Sequence, residues 1–166
     1  MERCCKIAGL YLATLKAIYL VHQHSHWTTK GANFYGNHLL FQRLYEAAQD
    51  SADSAAEKFL GLFGEDGVDF QLQNELLHKV LTKFEKFSGE LPSKNAMSKI
   101  GNLYDANFYP VEMSLTAEKE FLKLSKEAYD AFEDEGVMTL GLDDMIMSIA
   151  SKSEEAVYLL QQSLKK

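Results

Sequence analysis

The chain has 166 residues, 46% of them apolar and 25% charged, with a formal net charge of −7. That length argues for one domain spanning residues 1–166, and that composition excludes wholesale disorder. With only 2 Pro and 10 Gly it has too few turn-formers for a β-sandwich, and its acidic balance argues against a general nucleic-acid binder, which needs a basic face.

Nearly the whole chain reads as helix. Cys4 and Cys5 are adjacent, so no disulfide framework is expected and a reducing compartment fits. The first segment, 5–28, places Leu12, Leu15, Ile18, Tyr19, His22 and His26 on one face at helical spacing. Its longest unbroken apolar run is Ala17 to Val21, well short of the roughly 20 residues of a membrane span. No small-residue cleavage site follows it, and the sequence reads as soluble, not exported and cytoplasmic. Gly31 is suited to end this helix, and Asn33 to cap the next.

The second segment, 34–60, carries Phe34, His38, Phe41, Tyr45, Ala48, Ala52, Ala55 and Phe59 at alternating steps of four and three, a bundle seam. Turn chemistry follows from Gly61 to Gly67. A third segment, 69–87, has Asp69 as its cap and Phe70, Leu77, Val80, Leu81, Phe84 and Phe87 as its apolar face. Ser88, Gly89 and Pro92 end it, and residues 93–109 read as a short helix and loop. A fourth segment opens near Pro110 and ends at Gly136; a fifth runs over 142–164, with Asp143 and Asp144 favourably placed in its first turn. The expected architecture is an all-α four-helix bundle with an extra helix between the second and third bundle helices, which allows the crossover connection of ferritin-like folds.

The residues that carry chemistry are His26, Trp27, His38, Asp53 and Glu57. On the second helix, His38, Gln42, Glu46, Gln49, Asp53 and Glu57 form a polar stripe beside the apolar seam. His38 and Glu57 lie about 28 Å apart along that helix, and His38 and Asp53 about 22 Å, so one chain cannot gather them around one metal. Asp53 and Glu57 share a face. His26 and His38 stand six residues on either side of the turn at Ala32 and meet at one height. The chain therefore offers two half-sites. If two copies of the second helix cross antiparallel between Tyr45 and Glu46, His38 faces Asp53 of the partner subunit, and a two-fold dimer builds two equal sites. Two imidazoles with two carboxylates suit Fe(II), Mn(II) or Zn(II). The plainer reading is an interior histidine pair and a solvated acidic face.

Residues 22–61 resemble the signature of the Dps family, the mini-ferritins: His26-Trp27, Gly31-Ala32-Asn33-Phe34, His38, Phe41, Leu44-Tyr45, Asp53-Ser54, Ala56-Glu57 and Leu60-Gly61. The resemblance implies a hollow, dodecameric homo-oligomer whose iron sites are shared across two-fold dimers. It also implies ferroxidase activity, oxidising Fe(II) with hydrogen peroxide or dioxygen and storing the ferric product. On it, His26 and His38 are iron ligands from one subunit, Asp53 and Glu57 from the other, and Trp27 lies beside the centre. The chain departs from the family in three ways. Gln42 stands where a further carboxylate is common, which weakens a second metal position. The 61–109 link is long. The termini offer only Arg3, Lys6, Lys165 and Lys166 in place of a lysine-rich tail, so DNA binding is not expected. His22 fits either core packing or a supporting role beside His26. The competing reading is a structural bundle with an idle or zinc-holding site.

Overall fold

A computed structural model describes residues 2–87 and 108–165. Five α-helices account for most of them: α1 (Glu2–Thr28), α2 (Phe34–Phe63), α3 (Phe70–Phe87), α4 (Phe108–Asp134) and α5 (Leu140–Ser163), with a short 3-10 helix, Glu65–Val68, before α3. No strand occurs among the described residues. The expectation for residues 88–107 lies outside them.

Side-chain contacts fix the topology. Tyr11 near the start of α1 meets Phe59 near the end of α2, and His26 near the end of α1 meets His38 near the start of α2, so α1 and α2 are antiparallel. Ser25 bonds to Ser114 and Pro110 of α4, whereas Tyr11 meets Phe121, so α4 is antiparallel to α1 as well. Hence α2 and α4 run parallel, and the chain between them must return the length of the bundle. This is the crossover connection of a ferritin-like bundle.

α3 uses that return partly as a strap. Its Gln73 accepts a hydrogen bond from Lys16 at 2.7 Å, while Leu72 and Leu76 lie over Gly9. Gly9 matters here for lack of a side chain, since a Cβ there would sit 2.9 Å from Leu72. Asp69 caps α3 as expected, its Oδ1 accepting from the backbone N–H groups of Gln71 and Leu72 at 2.8 and 3.0 Å. Phe70 departs from the expected apolar face. It is 71% exposed and lies beneath the Lys16 ammonium.

The main core runs between α1, α2, α4 and α5, around Tyr11, Leu12, Ile18, Phe59, Phe121, Phe132 and Leu142. α1 is long and apolar enough to cross a membrane by length and composition, contrary to the reading from its short unbroken runs. Most of that stretch is buried inside the bundle, where a central helix acquires the same composition.

The seam of α2 is rotated from the expected one. Its buried residues are Asn37, Phe41, Leu44, Ala48, Ser51, Ala55 and Phe59, whereas Phe34 is exposed and His38, Tyr45 and Ala52 lie at the boundary. Steps of three and four fit either neighbouring stripe of a helix, and the small Ser51 and polar Asn37 hid the true one. α2 also runs past Gly61 and stops at Gly64, whose φ of +70° suits only a residue without Cβ. The Gly64 N–H closes the end on the Leu60 carbonyl at 2.9 Å.

Candidate metal-binding half-sites

The turn between α1 and α2 brings the histidines together. Gly31 takes φ +90°, reversing the chain within a few residues. Asn33 precedes α2, but its side chain makes no capping bond. The cap is made by backbone instead, Phe34 N–H to Gly31 O at 3.0 Å and Asn37 N–H to Asn33 O at 2.9 Å.

His26 and His38 stack with ring centroids 3.7 Å apart and planes at 22°. Each donates from Nδ1 to the other's backbone carbonyl, His26 to His38 O at 2.8 Å and His38 to His26 O at 3.0 Å. A ring nitrogen that donates to a carbonyl carries the proton, which leaves the other nitrogen as the lone-pair donor. The two bonds therefore fix both tautomers and leave both Nε2 atoms available for a metal, the usual device by which a protein orients a histidine ligand. Phe34 stacks on the far face of His38 at 5.1 Å, and Tyr45 meets His26 edge-on at 5.4 Å.

Asp53 and Glu57 lie on the exposed face of α2 and make no hydrogen bond or ion pair among the described residues. Lys58, the residue after Glu57, reaches Gly141 at the start of α5. Asp53 lines a groove of about 480 Å³ together with Lys16, Tyr19, Gln49 and Gln73. Because α2 is one continuous helix, the carboxylates stay about 22 to 28 Å along its axis from His38 of their own chain. No group of three or more His, Cys, Asp or Glu side chains able to hold a metal occurs among the described residues. The histidines are brought together, the carboxylates are brought together, and the two halves are not.

Gln42 donates from Nε2 to Glu46 at 3.0 Å. Trp27, one residue after His26, is 67% exposed, and Tyr35 and Leu39 in the first turns of α2 are exposed as well. His24 is exposed. His22, one turn before His26, points the other way. It is fully buried and donates from Nε2 to Glu118 Oε1 at 2.7 Å. Ser153 Oγ donates to the other Glu118 oxygen. Beside this carboxylate a cavity of about 30 Å³, opening between α2 and α5, has room for a single water. Sequence reading missed Glu118. The only signal for it was a histidine on an otherwise apolar face, which requires a polar partner from elsewhere.

No family model matches the chain. Among curated proteins it is similar to the nutrient stress-induced DNA-binding protein of Nostoc sp., at 29% identity over 158 residues, covering 95% of this chain and 75% of that protein. It is also similar to the nutrient stress-induced DNA-binding protein of Synechococcus sp., at 33% identity over 63 residues, covering 38% of this chain and 36% of that protein.

Proposed function

We propose that the protein is a Dps-like ferroxidase. Two subunits complete each iron site, with His26 and His38 from one and Asp53 and Glu57 of the partner subunit. The observation that carries this reading is the reciprocal bond of the stacked histidine pair, which commits both Nδ1 atoms to backbone carbonyls and leaves both Nε2 atoms as the lone-pair donors, with no group of three or more metal-binding side chains to complete them among the described residues. The bare Asp53–Glu57 face is the matching half. The curated relatives support the reading through their name, which Dps proteins carry in cyanobacteria.

On this reading Fe(II) is the substrate. The imidazoles bind it as neutral donors, and the carboxylates favour the ferric product because negative oxygen ligands suit the harder ion. Hydrogen peroxide or dioxygen accepts the electrons, and the ferric product is stored within a hollow homo-oligomer, by family resemblance a dodecamer. The protein supplies position and charge, and the iron supplies the redox chemistry.

A second reading is favoured by one observation. Gln42 occupies the place of a further carboxylate and is tied to Glu46, which would suit a bundle whose site is idle or holds zinc. Peroxide-driven Fe(II) oxidation, followed by absorbance and by iron content, separates the two. Wild type is expected to oxidise Fe(II) well above the protein-free rate, and the double variant Asp53→Ala, Glu57→Ala to lose that excess. Equal rates would reject the ferroxidase.

A further inference from the structure

The ring contacts do not stop at the histidines. Beyond Tyr45, which meets His26 edge-on, Tyr19 meets Tyr45 with centroids 6.0 Å apart and planes at 88°. The Tyr19 hydroxyl accepts a hydrogen bond from Gln23 Nε2 at 2.6 Å. Tyr19 also lines the groove that holds Asp53. Within one protomer the two tyrosines thus connect the histidine half of one site to the carboxylate half of the other. Along α2, Tyr45 lies about 10 Å from His38 and about 12 Å from Asp53. It stands midway, where an antiparallel crossing of two α2 helices puts the two-fold axis.

We infer that Tyr45, continued by Tyr19, is the one-electron link between the two iron sites of a dimer. This rests on the shared-site reading above. The chemical reason is electron count. Peroxide accepts two electrons and each Fe(II) gives one. Gln42 leaves a second iron poorly held in the same site, and the other site is about 22 Å away along the helix. A redox-active side chain between them divides that span into two shorter steps.

The steps balance. Fe(II) in one site, hydrogen peroxide and a proton give Fe(III), one water and a hydroxyl radical, as the O–O bond breaks. The radical takes the hydrogen atom of the Tyr45 hydroxyl, forming a second water and a neutral tyrosyl radical. Fe(II) in the other site returns one electron, a proton comes from solvent, and the phenol is restored. The sum is two Fe(II), one peroxide and two protons to two Fe(III) and two waters, with no radical released.

Tyr45→Phe keeps the ring contacts and removes the hydrogen atom that is transferred. The protein is mixed with Fe(II) and then peroxide. Freeze-quenched electron paramagnetic resonance, a hydroxyl-radical spin trap and titration of iron oxidised per peroxide are read together. Wild type is expected to show a transient tyrosyl signal, little trapped radical and two irons per peroxide. Tyr45→Phe is expected to lose most of the signal, release several-fold more trapped radical and fall toward one iron per peroxide. Tyr19→Phe should keep the Tyr45 signal but prolong its decay. A Tyr45→Phe protein with the wild-type signal and stoichiometry overturns the link, and wild-type decay in Tyr19→Phe removes Tyr19 from it. The double carboxylate variant serves as the control. If it oxidises iron like wild type, the shared site has failed; if only the tyrosine variants are silent, the site stands and the link does not.

Discussion

Tyr11 is fully buried, and its hydroxyl lies near that of Ser125 without a well-formed hydrogen bond to it. Burial pushes its pKa up to about 12, against a smaller opposite pull from Ser125. An unfolded tyrosine ionises near pH 10. The folded protein therefore holds this proton where the unfolded chain releases it. The contribution to stability is complete below about pH 10 and lost as pH rises through about 12. Tyr11→Phe is expected to leave stability near pH 7 within about 1 kcal/mol of wild type and to be the more stable of the two at pH 11, as read from urea midpoints. The buried pair His22–Glu118 behaves differently. Glu118→Ala leaves a buried imidazole without its acceptor and is expected to cost about 1–3 kcal/mol, whereas joint replacement of both residues by leucine costs less. Thermal melts of the two variants test this. Neither outcome was legible in the sequence, because each depends on which residue of a distant helix lies opposite. The spacing of His26, His38, Asp53 and Glu57 was legible, since it needs only the helical repeat and one turn. The reciprocal bonds that set the histidine tautomers were not, since they depend on backbone carbonyls that every residue possesses.

At the level of elements, sequence reading located α1, α2, α4 and α5 to within a few residues because each carries a sustained apolar stripe and a recognisable stop. It did not locate the path of α3 across α1, which depends on the missing side chain of Gly9 and on Lys16 reaching Gln73. Nor did it find the true end of α2. There the chain turns tightly through the 3-10 segment, and a Cβ on Gly67 would sit 2.8 Å from the Phe59 carbonyl oxygen and 2.9 Å from Phe63 Cβ. Backbone cannot yield as a flexible side chain can. Gly67→Ala is accordingly expected to lower stability by about 1–3 kcal/mol. Gly61→Ala, where a Cβ meets nothing within 4 Å, should stabilise slightly, by helix propensity. Chemical denaturation of the pair provides the comparison.

At the level of the whole molecule, the net charge of −7 sets the response to other polyanions. The curated relatives are named for DNA binding, but phosphate contacts are made by basic side chains. This chain is expected to give no gel shift with duplex DNA at physiological salt, and a salt-sensitive shift would contradict that. The crossover of α2 to α4 has a consequence for how the chain reaches this shape. The α1–α2 and α4–α5 hairpins each bring together stretches close in sequence, so each is cheap to nucleate. Contacts such as His22–Glu118 and Ser25–Ser114 join stretches some ninety residues apart and must wait for a much larger loop to close. The two hairpins should therefore form first and dock late. Weakening the α1–α4 seam should then chiefly hasten unfolding and leave the folding rate nearly untouched.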